Sequence, residues 1–439
     1  MNTIFVLCAI SFTLSIDYSL GLVSTQAYWI NTGGAKNLAG LVFGVYDGSS
    51  IIMTPLLSWL IDNKGFSYKY IFISCILLNI IGNSIYSFAH VADTWIMVIT
   101  GRAIAGMGST CVPLLMMYIA DRVKSDDQQK TVGYVKYIAA FSGILGSILG
   151  SAFAYVNVNK IINLYTMVGW VPMCFGFVTL VIVSFWKETK SDKIIKSTQN
   201  ISFPMAFSYF LSIWAFAFVT TFIYWFYMGN AFILGTHFFH VIGDEKYLGN
   251  LYYAGLGGFA VSFLVFFFFK KSISSKRGLL LSTIFSIPTA FLFLIQRNPI
   301  YYVAVASTTF AYGLMIPSIN YLNNTLAKNL RGILKGRFGI MVTALSIAQG
   351  FARFIGPTLF TFSIPQENKP NCTLDDGDKY DTTGCGLHHF VTISAVYNSI
   401  CAVLMIICYY YFTKKLEASE KNTSILPIND KKMQQANNK

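Results

Sequence analysis

Long runs without a charged residue restrict this chain more than any motif does. Tyr70 to Ala89 reads "YIFISCILLNIIGNSIYSFA" and holds no Asp, Glu, Lys or Arg. About 20 residues at ~1.5 Å each cross the ~30 Å hydrocarbon layer of a bilayer. With no water there to satisfy backbone groups, such a run must bond them internally, as a helix does. Apolar runs with at most one charged residue fall at 3–27, 38–61, 70–89, 95–119, 131–156 and 164–186, then at 205–235, 248–270, 278–295, 300–325, 338–364 and 388–413. Only 12% of the 439 residues are charged, where a soluble domain carries roughly 25%. The pattern predicts an all-α membrane protein with twelve transmembrane helices.

One long polar stretch interrupts the runs internally, "KETKSDKIIKSTQN" from Lys187 to Asn200. It divides the chain into a six-helix bundle over 1–186, a cytosolic linker over 187–204, a second six-helix bundle over 205–413 and a disordered cytosolic tail over 414–439. The first run is read as a helix and not as a signal peptide. It lacks a basic leading segment, its apolar stretch is too long, and Asp17 lies inside it.

A formal charge of +13 invites a nucleic-acid reading, but its distribution argues for membrane orientation. With the N-terminus cytosolic, 23 of the 32 Lys and Arg fall in cytosolic loops and tail. The opposite loops hold Lys36, Lys160, Lys246, Arg297, Lys369 and Lys379, and Arg102, Lys136 and Arg353 lie inside spans. That asymmetry follows the positive-inside rule and predicts both termini in the cytosol.

Six cysteines (Cys8, Cys75, Cys111, Cys174, Cys401 and Cys408) lie in apolar runs and read as small core residues. Cys372 and Cys385 lie in the polar loop before the last span, on the side where disulfides persist. The same loop carries "NCT", which makes Asn371 a glycosylation acceptor on that side. The expectation is a Cys372–Cys385 bridge and a glycan at Asn371.

Short motifs then point to a family. "PLLSWLIDNKGFSYK" after the second span places Asp62, Gly65 and Lys69 in a short turn, with Ser58 where a glycine would be usual. "GRAIAGMGS" gives Arg102 followed by Gly106 and Gly108. "GILGSILGS" holds Gly143, Gly146 and Gly150, with Ser147 where an antiporter-type signature has proline. "QGFARFIGP" sets Gln349, Arg353, Gly356 and Pro357 in the eleventh span. Twelve spans in two sets of six with these motifs resemble the major facilitator superfamily. Together with "GNSIYSFAH" and "YIADR", they resemble the branch of major facilitator superfamily domain-containing protein 8, a lysosomal membrane protein, and its SPX-bearing relatives. No SPX domain is expected, because the first span begins almost at Met1. The resemblance implies an endolysosomal or vacuolar address and a conformational latch at Asp62, Gly65 and Lys69. It also implies helix packing at Gly106, Gly108, Gly146, Gly150, Gly356 and Pro357. A dileucine-like "EKNTSIL" in the tail has one residue too many between acid and Ile425-Leu426.

Charge inside the spans carries the mechanism. Asp17, Asp47, Arg102, Lys136 and Arg353 are the whole inventory. At ~1.5 Å per residue, all but Lys136 lie roughly 11–16 Å from the non-cytosolic end, the depth at which transporter sites sit. Lys136 is closer to the cytosolic end and can snorkel. Such burial is expensive and marks function. Asp17 and Arg102 are expected to pair and, with Asp47, to carry proton coupling. Arg353 has no acid in the second set of spans, so either Asp47 reaches it across the bundle interface or it awaits an anion. Tyr224, Trp225, Tyr227 and Asn230, with Gln349, are expected to line the same cavity.

Nothing in the sequence forms a nucleophile–base pair, phosphate loop or metal cluster. His237 and His240 read as interfacial, since no third ligand follows. The expected function is therefore not enzymatic and needs neither cofactor nor metal. It is secondary active transport of a small, anionic solute by a monomer in the lipid bilayer, with protons and the solute as partners and no nucleic acid. A channel on the same scaffold and a plasma-membrane sugar porter stay open as alternatives.

Overall fold

The computed structural model describes residues 2–35, 38–123, 125–153, 158–188, 203–228, 275–292, 298–329, 338–362 and 395–408, with isolated positions at 156, 254–265 and 410–414. Within these, every extended element is a helix: α1 (Thr3–Asn31), α2 (Ala39–Lys64), α3 (Tyr68–Ala92), α4 (Trp95–Ser109), α5 (Cys111–Arg122), α6 (Ser125–Phe153) and α7 (Leu164–Ser184). The C-terminal set is α8 (Phe203–Met228), α9 (Ser275–Leu292), α10 (Asn298–Asn329), α11 (Phe338–Phe362) and the shorter α12 (Ala395–Cys408). Nine helical stretches among the described residues are long and apolar enough to cross a membrane. The expected span at 248–270 and the 363–394 loop lie largely outside them, as do Asn230, His237, His240, Asn371, Cys372 and Cys385.

Composition alone predicts one straight helix over 95–119, but α4 and α5 are separate. Thr110 caps both, and Pro113 sits in the first turn of α5. Proline has no N–H to give and its ring crowds the carbonyl one turn back, so the ladder breaks there. Prolines 55, 172, 288, 317 and 357 lie inside α2, α7, α9, α10 and α11 without ending them. Neighbouring helices make that tolerable in a membrane. At the opposite extreme, Gly65 ends α2 cleanly, at φ 68°, with its N–H bonded to the Leu60 carbonyl. That left-handed geometry suits glycine.

Packing sets the stage for the site. In the N-terminal helices, α3 lies against α4 and α7, α1 against α6 and α7, and α2 against α4. In the C-terminal helices, α8 packs on α11 and α9 on α10. The main join between the two sets is α2 against α11. Buried side chains form two clusters, each drawn from both sets. Leu14, Phe72 and Met117 join Phe338 and Met341 in one, and Tyr28 and Phe43 join Trp225 and Ala352 in the other. Large apolar side chains such as Ile52, Tyr70, Val178 and Phe185 point outward, as a surface facing lipid requires and a surface facing water would not.

Candidate functional site

Two ion pairs lie among these helices, and two dipeptides supply both carboxylates. Asp17-Tyr18 lies on α1 and Tyr46-Asp47 on α2. Each tyrosine bonds the other helix's aspartate. The Tyr18 hydroxyl donates to Asp47 Oδ2 at 3.2 Å, and the Tyr46 hydroxyl donates to Asp17 Oδ2 at 3.1 Å. The two rings themselves lie 5.6 Å apart. This exchange locks α1 to α2 and gives each carboxylate one phenol.

The first pair is wholly inside the N-terminal helices. Arg102 Nη1 on α4 lies 3.3 Å from Asp17 Oδ1, and neither side chain has any exposure. Asn79 Nδ2 on α3 donates to the other carboxylate oxygen at 2.7 Å. The guanidinium also lies over the rings of Tyr46 and Tyr86, at 4.5 and 5.7 Å, an attraction that grows once water is removed. Gly106 and Gly108 allow this approach. A side chain at Gly106 would strike the Tyr46 backbone, and one at Gly108 would strike the Cys75 carbonyl and the Asn79 N–H.

The second pair joins the two sets of helices. Arg353 Nε on α11 lies 2.8 Å from Asp47 Oδ1, an ion pair without a well-aligned hydrogen bond. Arg353 also stands over the Tyr18 ring at 5.6 Å. Of the two possibilities that the sequence left open, Asp47 reaching across is the arrangement present. Gly44 makes it possible, because its α carbon sits under the Phe354 carbonyl, where a Cβ would come within 2.8 Å. That glycine, and the Tyr18–Tyr46 exchange, were missed in the sequence. The signal for the exchange was present as an inverted Asp-Tyr and Tyr-Asp.

Aromatic rings flank the second pair. Trp225 on α8 meets Tyr18 edge-on at 5.4 Å and stacks on Phe43 at 5.5 Å, so it too bridges the sets. Tyr224 stacks on Tyr312 of α10 at 4.0 Å, and the Trp225 indole donates to the Tyr312 hydroxyl at 3.5 Å. Tyr227 is buried in the same cluster. Gln349, one turn before Arg353 on α11, is buried with an amide nitrogen that has no hydrogen-bond partner. Lys136 on α6 is half-buried.

The remaining motif residues are placed as follows. Asp62 Oδ2 accepts the Gly339 backbone N–H at 2.7 Å, at the start of α11. A carboxylate there complements the positive end of the helix. Ser58 bonds Thr343 across the same join, at 3.2 Å. Lys69 turns elsewhere and donates to the Ser184 carbonyl at the end of α7, at 2.7 Å. Gly146 packs on Ser19 and Ile16 of α1, and Gly150 is buried one turn further along α6. Gly356 faces the backbone at Trp225 and Phe226 of α8, and Pro357 follows it inside α11. Among the described residues, no group of three or more His, Cys, Asp or Glu could hold a metal ion.

The family model for the Major Facilitator Superfamily matches residues 5–357. The chain belongs to the Major Facilitator Superfamily. This is a superfamily of transporters and not of enzymes. Among curated relatives, an uncharacterized MFS-type transporter of Schizosaccharomyces pombe is 26% identical over 200 residues, covering 43% of this chain and 40% of that protein. A second from the same yeast is 27% identical over 188 residues, covering 40% and 38%. The chain thus spans about two fifths of the length of the curated relatives it matches. Solved superfamily structures align over nearly the whole chain. The human organic anion transporter MFSD10 does so at TM-score 0.59 and 13% identity, covering 93% of this chain and 98% of its own. The transporter FucP in its outward conformation gives 0.61 and 12%, covering 94% and 99%. At such identities the likeness establishes the fold alone.

Proposed function

We propose that this superfamily member is a secondary active transporter that moves a small anionic solute across an endolysosomal or vacuolar membrane by alternating access. It acts as a monomer, with proton coupling at Asp17 and Arg102. The observation that carries the reading is the Asp47–Arg353 pair, which ties α2 to α11. Alternating access requires these helices to part on one side of the membrane and then on the other. An anion that takes the place of Asp47 on Arg353 loosens that tie, so binding and movement are linked. A guanidinium suits this exchange because its planar fork holds a carboxylate or phosphate by two bonds.

Charge balance supports an anion. Within the spans, Arg102, Lys136 and Arg353 face Asp17 and Asp47, leaving one positive charge in surplus. MFSD10, which shares the fold, is itself described as an organic anion transporter. The address rests on the resemblance to the lysosomal branch of the superfamily. The orientation rests on the Lys and Arg bias, with the linker 187–204 and the tail 414–439 in the cytosol. The loop carrying Asn371, Cys372 and Cys385 then faces the lumen.

The deciding experiment uses the full chain in proteoliposomes under an imposed pH gradient, with a panel of labelled organic and inorganic anions. Saturable accumulation of one of them is expected. Asp17→Asn is expected to abolish accumulation against a gradient while preserving exchange of the same anion between the two sides. A linear, unsaturated conductance would instead make the protein a channel, and undiminished accumulation by Asp17→Asn would reduce the Asp17–Arg102 pair to a structural role.

A further inference from the structure

Asp17 has no exposure at all, so a proton must reach it through the protein. One route is through Tyr46, on the side where Asp47 and Arg353 lie. The other runs inside the N-terminal helices and is marked by two stripes of matching spacing. On α1 these are Asp17, Gly21, Thr25 and Tyr28, and on α3 they are Asn79, Asn83, Tyr86 and His90. Three- and four-residue steps keep each stripe on one helix face. Both stripes climb toward the membrane face where α1 ends at Asn31 and α3 ends at Ala92.

Hydrogen bonds join much of this file. Asn79 donates to Asp17 at 2.7 Å and Asn83 donates to Asn79 at 3.2 Å. Thr25 and Tyr86 hydroxyls lie 3.5 Å apart, and Tyr28 donates to the Tyr86 carbonyl at 3.3 Å. His90 then lies beside the Tyr28 ring, with centroids 6.2 Å apart, two residues from the end of α3. Between these bonds, buried polar atoms stand without protein partners: Asn83 Oδ1, Arg102 Nε and Nη2, and His90 Nδ1. Asn83 and Arg102 are fully buried. Gly21 lets the guanidinium pack directly against α1, since a Cβ there would come within 2.8 Å of Arg102 Cζ. Partnerless buried donors and acceptors in a row are what ordered water satisfies, with two to four bonds per molecule.

We propose that this file is a water-completed proton path that connects Asp17 to the membrane face at the ends of α1 and α3, separate from the Asp47–Arg353 pair. It rests on the reading of Asp17 as the proton-carrying group. A proton enters from bulk water at His90, moves along waters held by Arg102 and Asn83, and ends on an Asp17 oxygen as the Arg102 contact loosens. The charged and titratable groups that face Asp17 are Arg102 from α4, Tyr46 from α2 and Tyr86 from α3.

The test reads the proton itself and needs no transported solute. The full chain is placed in lipid nanodiscs and the carboxylic C=O infrared band lost in Asp17→Asn is followed after a pH jump. Asn83→Leu is expected to slow its response about tenfold, the kinetic equivalent of one lost hydrogen bond, and Asn83→Ser to restore it. His90→Phe, at the periphery, is expected to slow it without threatening the fold. Gly143→Trp on α6, outside the file, is the control, since a side chain there meets open space. That variant is expected to leave the response unchanged. Slowing by Gly143→Trp with normal responses in Asn83→Leu and His90→Phe would overturn the path. If no titrating band disappears in Asp17→Asn, the Asp17 reading itself fails.

Discussion

The two central ion pairs use the same chemistry in different mechanical settings. Each has a carboxylate, an arginine under or over a tyrosine ring, and a phenol donated from the neighbouring helix. Arg102 and Asp17 are both wholly buried within one set of helices, whereas Arg353 keeps a quarter of its surface exposed and pairs across the join. The first pair is therefore enclosed within one set of helices. The second is held by the closeness of α2 and α11 and can be released by moving them apart. A buried charge is costly in both places, but only the second is arranged so that the cost can be exchanged for a solute.

The sharpest break between the two comes from removing each cation. Arg102→Ala leaves Asp17 buried without its counter-charge, a change worth about 3–5 kcal/mol when a buried pair is broken. It is expected to lower the thermal unfolding midpoint in detergent strongly and to be largely rescued by Asp17→Asn in the double variant. Arg353→Ala is expected to lower that midpoint much less while removing anion uptake. If the two variants lose stability equally, the contrast drawn here is wrong. Second in size is Gly44→Val, which forces a side chain against the Phe354 carbonyl. Overpacking of this kind costs about 1–3 kcal/mol, and cross-linking between α2 and α11 should report weakened contact, while the equivalent change at Gly143 should not. The smallest expected effects are Tyr18→Phe and Tyr46→Phe, each deleting one hydrogen bond worth about 0.5–1.5 kcal/mol. Tyr46→Phe should act on the pH dependence of transport and Tyr18→Phe on the apparent affinity for the anion. An exchanged pattern would mean that the two pairs have each other's roles.

Much of this was legible from charge and spacing. The charge-free runs define the helices because lipid allows few alternatives, and the rarity of charge inside them singled out Asp17, Asp47, Arg102 and Arg353. What sequence could not supply was which partner each one takes. Asp47 lies adjacent to Tyr46 in the chain yet bonds Tyr18, and that depends on the rotation of α1 against α2. Pro113 was visible, but whether it kinks a span or starts a new helix depends on the packing of α3 around Thr110. Gly44 carries no motif, and its importance comes wholly from the backbone of α11 lying against it.

The Asp17–Arg102 pair also bears on how the chain is made. The two residues are 85 positions apart, so α1 leaves the ribosome well before α4. A lone arginine at the centre of an inserting helix costs about 2.5–3.5 kcal/mol at the translocon, and Trp95–Ser109 carries nothing acidic to offset it. The segment enters the bilayer most readily if α1 is still waiting beside the insertion channel and offers its carboxylate as an escort. Asp17→Asn should then reduce the fraction of α4 integrated during synthesis, read by a glycosylation tag placed after it. Wild-type integration in that variant would show that α4 needs no escort.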